Sequence, residues 1–308
     1  MPQARYFELP ITEVIKRRSS TRSYNPVQLP DEVLEKLKAY SREIRGPFSG
    51  RVRLVFLDVS AFEEQTGKKI GTYGFIRGAQ HFIAGIVAKG EKDLEELGYV
   101  FEQLILYATS LGLGTCWLGG TFRRKSLQEA VALKKTEMLP AITPVGYAAR
   151  KEKMLDMGIS GILSREKRLT KRPSGPGPSI VGQRKPKRKP WPELFFYQRL
   201  GYPLPKNEAG DFQAPLEMVR LAPSASNRQP WRVIKSEDCW HFYLEPSLLT
   251  NKVLGFEIQR IDLGIALCHF ELTARELGLP GNWIVLTTGL PSLGAEKLQY
   301  VASWRLSP

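Results

Sequence analysis

The chain has 308 residues, of which 42% are hydrophobic and 10% aromatic, a composition typical of globular proteins with a substantial core. No stretch approaches the ~18 uninterrupted apolar residues of a membrane helix, no apolar signal segment begins the chain, and three cysteines without a Cys-x-x-Cys spacing exclude a disulfide scaffold. We therefore expect a cytoplasmic protein. Of the net charge of +14, the segment 165–189 supplies +9 through ten basic residues and one acid, so a whole-protein argument for nucleic-acid binding is weak.

Hydrophobic periodicity predicts seven elements in the first 150 residues. The expected helices are 11–18, 31–44, 99–113 and 126–132, and the expected strands are 52–57, 81–87 and 141–147. The helix at 99–113 is apolar on nearly every face, as a helix buried between two layers should be. Gly112 and Gly114 end it and allow a close approach of another backbone or a flat ligand.

The middle of the chain differs in character. Residues 148–190 contain the aperiodic Ser174-Gly-Pro-Gly-Pro-Ser179 between basic runs, which is typical of a connector. The second half is predicted to have helices at 215–221 and 261–277, and strands at 232–235, 240–245, 283–289 and 299–305. Because βαβ units are too few for a Rossmann sheet, we expect an α+β fold with a first half at 1–150, a connector at 151–190 and a second half at 191–308.

An internal repeat relates the two halves, with the buried helix of each half as its centre. The matched pairs are Gly98 with Gly264, Ala108 with Ala274, Gly112 with Gly278, Leu113 with Leu279 and Trp117 with Trp283.

Two polar segments could bind a ligand. Arg18-Ser-Ser-Thr-Arg22 places guanidinium and hydroxyl donors at a helix end, which suits a phosphate or a polar ring edge, although alone it is more simply a solvated helix end. Several hydrogen-bonding groups lie close together in Pro223-Ser-Ala-Ser-Asn-Arg-Gln-Pro-Trp231. A ligand-binding segment explains so dense a set better than an ordinary loop does.

Other chemistries find little support in the sequence. The glycines at 112–119 follow a helix rather than a strand, which excludes a dinucleotide fingerprint, and no P-loop is present. His81, His241 and His269 are scattered without the spacing of metal ligands, so we expect structural histidines and no metal site. The basic segment could be a tether, a tail for nucleic acid or an acidic partner, or an arm over a bound phosphate, and Lys187-Arg-Lys189 best suits a ligand role.

Three segments together resemble the nitroreductase-type flavoprotein family. Arg18-Ser-Ser-Thr-Arg-Ser-Tyr24 is similar to its R-x-S-x-R-x-[FY] motif, Pro223–Trp231 to its P-S-x-x-N-x-Q-P-W motif, and Leu111-Gly-Leu-Gly-Thr-Cys-Trp-Leu-Gly-Gly120 to its L-G-L-G-T-x-W-x-G motif. Most members are homodimers that bind FMN at the interface. Here the first half has a degraded counterpart of the serine–asparagine motif, Gly46-Pro-Phe-Ser-Gly50, and the second half lacks a clear arginine–serine motif. The chain thus resembles the fused branch, in which one polypeptide imitates the dimer as a monomer with one flavin site.

The resemblance implies a role for each matching residue. Arg18, Ser19, Ser20 and Arg22 would hold the phosphate, ribityl chain and pyrimidine edge of FMN, and Lys187 or Arg188 would close over the phosphate. The isoalloxazine would lie against Trp117, Leu118, Gly119 and Gly120, with a glycine amide pointing at N5, and would contact Pro223, Ser224, Ser226 and Asn227.

The implied activity is an FMN-dependent oxidoreductase that takes hydride from NADH or NADPH and reduces small electron-poor substrates such as nitro or quinone compounds. No catalytic side chain is expected because the flavin carries the chemistry. Two alternatives stay open: a flavin-binding sensor or carrier without turnover, and a basic protein that binds nucleic acid through residues 165–189. The last is the least favoured because the segment lacks interleaved aromatic residues.

Overall fold

A computed structural model describes residues 6–149, 187–246, 254–287 and 297–306. Within those ranges, residues 6–148 and 188–306 pack as one compact unit, and the fold is that of this unit. Nearly all of the predicted connector lies outside the described residues, as does most of the basic segment. Their predicted roles stay predictions.

The first half begins with two helices and continues as alternating strands and helices. Its elements are α1 Ile11–Arg17, α2 Asp31–Glu43, β1 Val52–Asp58, α3 Val59–Thr66, β2 His81–Ala88, α4 Asp93–Ser110, β3 Gly114–Thr115, α5 Arg124–Ala130 and β4 Glu137–Gly146. The sequence analysis missed α3, which begins where Asp58 accepts a hydrogen bond from the Ala61 N–H at 2.9 Å and ends at the left-handed Gly67.

The second half follows with β5 Phe195–Tyr197, α6 Gln213–Leu221, β6 Trp231–Lys235, β7 Cys239–Leu244, α7 Ile258–Glu276, β8 Asn282–Ile284 and β9 Gln299–Arg305. The sequence analysis missed β5. The predicted strand 283–289 is too long, because β8 ends at Ile284 and the last two predicted residues lie outside the described ranges.

Each half builds one sheet, and the two sheets share a strand order. The first sheet is antiparallel with the order β1-β2-β4-β3, and the second has the order β5-β6-β7-β9-β8. Without β5, which pairs parallel with β6, the second order is that of the first sheet. The predicted α+β fold is confirmed, with one antiparallel sheet and one mixed sheet.

The helices α4 and α7 pack against each other at the centre of the unit, and both are buried along nearly their whole length. A Cβ at Gly98 would collide with the carbonyl of Ile261, and a Cβ at Gly264 would collide with the carbonyl of Glu95. Gly98 thus contacts Ile261, three residues before Gly264, and Gly264 contacts Glu95, three residues before Gly98. This reciprocal contact has the pattern of an interface between two equivalent surfaces.

Candidate functional site

The arginine–serine segment, residues 18–22, runs beside the short strand β3 at the end of α4. The Thr21 N–H donates to the carbonyl of Thr115 at 2.8 Å, and Ser20 forms a parallel bridge with Thr115. Gly114 permits this approach because a Cβ there would lie 2.6 Å from Thr21 Oγ1. The fold thus brings the arginine–serine and glycine-rich motifs side by side.

The guanidinium of Arg18 is buried, and the described residues do not use all of its hydrogen-bond donors. Its side chain is 5% exposed, and its Nε lies 4.0 Å from Oε1 of the fully buried Glu102. Its Nη1 has no hydrogen-bond partner among the described residues. A buried cation with an unused donor is costly, so an anionic ligand at this position would be strongly favoured.

Glu102 is the hub of a buried network that joins the two halves. The Trp117 indole donates to Glu102 Oε2 at 2.7 Å, and His269 Nε2 lies 2.9 Å from Glu102 Oε1. His269 Nδ1 lies 2.9 Å from the carbonyl of Met218, which can only accept, so this nitrogen carries a proton. Because Nε2 faces a carboxyl oxygen, the Glu102–His269 pair must hold one further proton, on the ring or on the carboxyl group.

Arg188 lies beside Arg18 and connects it to the second half. Its Nη1 donates to Asn227 Oδ1 at 2.8 Å and its Nη2 donates to the Leu221 carbonyl at 2.7 Å. Burial, and after it the positive charges of Arg18 and Arg220, lower the pKa of Arg188 to about 10. The two buried guanidiniums thus repel each other, and a shared anion would relieve that repulsion.

The serine–asparagine loop, Pro223–Trp231, has an unusual backbone. Ser226, Asn227 and Gln229 have φ angles of 51°, 55° and 50°, in the left-handed region that non-glycine residues rarely adopt. Ser224 Oγ accepts the Gln229 N–H at 2.9 Å and thereby closes the loop on itself. Strain of this kind persists only where surrounding contacts hold it, and it clusters at ligand sites.

Asp262 on α7 anchors this loop. Its Oδ1 accepts the Ala225 N–H at 2.8 Å, whereas its Oδ2 is buried without a partner among the described residues. Burial raises the pKa of Asp262 to about 7, opposed only in part by the Ala225 hydrogen bond.

The first half contains the same arrangement with a longer acid. Under the repeat, Glu96 matches Asp262, and it accepts hydrogen bonds from the backbone of Gly46, Phe48 and Gly50, that of Phe48 at 2.8 Å. Burial raises the pKa of Glu96, and these three hydrogen bonds oppose the rise. The degraded loop is therefore folded around one carboxylate.

We expect Asp262→Asn to change how the stability of the protein depends on pH. A folded pKa of about 7 against an ordinary value of 3.8 means that the folded state binds the proton more tightly, so this stabilisation is lost as pH rises from about 4 through 7. Asparagine, which does not titrate, should therefore gain stability relative to aspartate between pH 5 and pH 8, by about 2–3 kcal/mol. Urea unfolding of both proteins at the two pH values measures this, and parallel pH profiles would contradict it.

The glycine-rich stretch reaches the start of α7. Leu118 pairs with Ile142 through hydrogen bonds of 2.9 and 3.0 Å, and its side chain lies in a core cluster on the far side from Trp117. A Cβ at Gly119 would collide with the Ile258 side chain, and Gly120 is exposed beside it. Only backbone groups of Leu118 can therefore border a ligand.

The predicted site residues fall into two groups. Glu102 joins Arg18 to Trp117, and Ser20 bridges to the neighbouring Thr115. Arg188 contacts Asn227, and Ser224 closes the loop that carries Asn227. Gly119 and Gly120 lie against Ile258 and Leu254, near the start of α7. Ser19, Arg22 and Ser226 are exposed, and Arg22 and Ser20 both reach the buried thiol of Cys116. Lys187 is exposed and belongs to the unit 149–187, so its role stays a prediction.

The sequence analysis missed three residues at this site: Glu102, Asp262 and His269. Glu102 lies in the mostly apolar stretch 97–108 of α4, and Asp262 and His269 lie in the mostly apolar stretch 261–270 of α7, which was the available signal. His269 has the structural role that was predicted for the histidines, but it contacts the site through Glu102.

No three His, Cys, Asp or Glu side chains within the described ranges gather closely enough to hold a metal ion. No helix in this part of the chain has the length and hydropathy needed to cross a membrane.

Comparison with known proteins gives one family. The model of the family described as "Putative TM nitroreductase" matches residues 10–274. No curated protein matches the chain. Among solved structures, a putative nitroreductase from Thermotoga maritima MSB8 is 20% identical and has a TM-score of 0.57, over 97% of this chain and 95% of its own. That similarity shows a common fold.

Two further structures match about half of the chain. A nitroreductase family protein from Clostridium novyi NT is 18% identical over 46% of this chain and 86% of its own, with a TM-score of 0.38. An FMN-dependent nitroreductase from Clostridium difficile R20291 is 22% identical over 46% of this chain and 88% of its own, with a TM-score of 0.36.

Proposed function

Because this chain belongs to the putative TM nitroreductase family, as its motifs predicted, we propose that it is an FMN-dependent oxidoreductase. It takes hydride from NADH or NADPH and reduces small electron-poor substrates, such as nitro or quinone compounds. The observation that carries the proposal is the buried Arg18, whose Nη1 donor has no partner among the described residues and whose positive charge acts on Arg188.

A phosphate monoester fits this region better than a neutral ligand does. The positive charges of Arg18 and Arg188 act on each other, and Arg188 already contacts Asn227 on the strained loop. Charge-assisted hydrogen bonds to a dianion are strong where water is excluded. The phosphate of FMN would satisfy the donor of Arg18 and separate the two guanidinium charges, while Ser19, Ser20 and Arg22 hold the adjoining chain.

The rest of the site would hold a flat ring. Trp117 is fixed by its hydrogen bond to Glu102, and Gly119 and Gly120 present backbone on one side. Pro223, Ser224, Ser226 and Asn227 contact the ring from the second half. When bound, FMN supplies the acceptor and donor of hydride. The protein's part would be the N–H of Gly119 or Gly120, which would donate to N5 and stabilise negative charge there without titrating. No side chain is proposed as acid or base.

The domain organisation proposed is two repeats, 1–150 and 191–308, joined by 151–190 and acting as a monomeric pseudo-dimer. Three observations support it: the shared strand order of the two sheets, the reciprocal contacts of Gly98 and Gly264, and the matched acids Glu96 and Asp262. Because Glu96 occupies the backbone donors of the loop at 46–50, one flavin per chain is expected.

The visible absorption spectrum of the purified protein tests this proposal first. We expect a yellow protein that releases about one FMN per chain on denaturation, runs as a monomer, and oxidises NADH or NADPH in the presence of a nitro or quinone acceptor. Bound FMN without any NADH or NADPH oxidation would indicate the sensor or carrier instead. A protein that neither holds nor takes up FMN would contradict the proposal.

A further inference from the structure

A cavity of about 360 Å3 opens next to the serine–asparagine loop. It lies between the end of that loop, the end of β7 and the first turn of α7. Its lining residues are Lys189, Arg228, Pro230, Glu245, Pro246 and Gln259. None of these residues has a role in the flavin site proposed above.

Gln259 is the unusual member of this lining. The residue is 1% exposed, and neither its Nε2 nor its Oε1 has a hydrogen-bond partner among the described residues. A buried amide left without partners costs the desolvation of both a donor and an acceptor, so side chains in this state are rare. A ligand in the cavity that offers an acceptor beside a donor would satisfy both atoms at once.

The charges around the cavity favour an anionic ligand. Lys189 and Arg228 supply two positive charges, and the one acid in the lining, Glu245, already pairs with Arg232 at 2.7 Å and lies 3.8 Å from Lys189. Burial, followed by the charge of Arg232, lowers the pKa of Lys189, which indicates a cation in a partly desolvated place. Two proline rings supply flat apolar walls.

A second cleft has a basic lining but no buried, unpartnered polar side chain among its described lining residues. It measures about 430 Å3 and is lined by Lys68, Lys69, Gly71, Tyr73, Arg123 and Ser126. None of these described residues is among the buried side chains that lack a hydrogen-bond partner. The pairing of an unsatisfied amide with cationic neighbours is thus particular to the cavity at Gln259.

We propose that this cavity binds a ligand with an amide edge, a C=O next to an N–H, and an anionic group: Gln259 pairs with the amide edge, and Lys189 and Arg228 hold the anion. Two molecules of the proposed reaction have this chemistry. The reductant, through its nicotinamide carboxamide and its phosphate, has no place assigned to it above. FMN, through its pyrimidine ring, would use this cavity only in place of the phosphate site assigned to Arg18 and Arg188. The proposal relies on the proposed function for these two candidates, whereas the cavity and its amide do not depend on it.

The position of Gln259 suits either source. Gln259 follows Ile258, which covers Gly119, and precedes by three residues Asp262, which anchors the serine–asparagine loop. One helical turn of α7 therefore borders the proposed ring site on one side and the cavity on the other.

The test compares Gln259→Leu with wild type by calorimetric titration of the FMN-free full-length protein. FMN and nicotinamide mononucleotide are titrated separately. We expect the ligand that uses the cavity to bind about tenfold more weakly to the variant, because its amide edge loses two hydrogen bonds. The melting temperature of the ligand-free variant should not fall, since leucine removes two unsatisfied buried polar atoms. Gln259→Met provides a second variant of similar length.

Gln103→Leu is the matched control. Gln103 is also a buried glutamine on a central helix, but its Nε2 donates to the Arg45 carbonyl at 3.1 Å. Its loss should lower the melting temperature and leave both dissociation constants unchanged. A purely structural role for Gln259 would instead make the two variants behave alike.

The outcomes separate the two sources and the two proposals. Weaker FMN binding assigns the amide edge to the pyrimidine ring, and weaker nicotinamide mononucleotide binding with unchanged FMN affinity assigns it to the carboxamide. Unchanged affinity for both ligands in both Gln259 variants would overturn the inference, even in an active flavoenzyme. Conversely, Gln259-dependent binding of nicotinamide mononucleotide by a protein that takes up no FMN would uphold it while the proposed function fails.

Discussion

Glu102→Ala is expected to lower the free energy of unfolding by about 3–5 kcal/mol, which is the usual effect of breaking a buried ion pair from one side. The substitution removes the partner of His269 and of the Trp117 indole, and it leaves Arg18 buried with no acid nearby. It also leaves a cavity between α4 and α7, where both helices are almost fully buried. Urea unfolding at pH 7 measures the effect.

Glu271→Ala provides a matched comparison. Glu271 accepts hydrogen bonds from the Tyr99 hydroxyl at 2.6 Å and the Trp283 indole at 2.7 Å, so it also joins the halves. Its side chain is 16% exposed, which lets water replace part of what is lost. We expect a smaller loss, about 1–3 kcal/mol. Equal losses for the two variants would show that Glu102 is not the hub that its three partners indicate.

Arg18→Met is expected to weaken FMN binding by about a hundredfold or more. Truncating one partner of a desolvated, hydrogen-bonded charge pair costs about 2–5 kcal/mol, and each 1.4 kcal/mol is a factor of ten. The ligand-free protein should keep its stability because methionine fills similar space and Glu102 retains His269. Fluorescence quenching of added FMN measures the dissociation constant of each protein.

Arg17→Met is the control for this experiment. Arg17 is the exposed neighbour at the end of α1 and has the same charge, so its loss changes the net charge equally. It should alter FMN affinity less than about threefold at physiological salt, where exposed charges are screened. If both variants lose affinity to the same extent, the effect of Arg18 is one of overall charge and the assignment of the phosphate site is wrong.

Local patterns in the sequence predicted most of the fold. The apolar runs located β2, α2 and α6 closely, because each has one clear face or a continuous buried strand. The start of α4 was placed six residues too late, at 99 instead of 93. Its first turn carries Asp93, Glu95 and Glu96, which are typical of a solvated loop, yet all three are buried. Arg260 forms ion pairs with Asp93 and Glu95, and the loop at 46–50 donates hydrogen bonds to Glu96.

Only the contiguous segments of the candidate site could be predicted from the sequence, and the contacts between them could not. The arginine–serine and serine–asparagine motifs are contiguous, so their residue types could be recognised directly. The Glu102–His269 contact joins positions 167 apart in the chain, and nothing in either helix specifies that these two faces meet. The matched glycines Gly98 and Gly264 fix how α4 and α7 cross, and thereby which residues face each other, but that geometry follows from packing rather than from local propensity.

In the proposed pseudo-dimer, the matched acids Glu96 and Asp262 indicate what the fusion of two repeats would permit. In a symmetric dimer any substitution appears twice, so a side chain that closes one loop must close the other. A single polypeptide escapes that constraint, and here the two equivalent positions differ by one methylene group. The longer acid reaches three backbone donors and seals its loop, whereas the shorter acid reaches the one at Ala225. In the proposed pseudo-dimer, a difference of that single carbon would let one end of the molecule serve as scaffold while the other is kept for a ligand.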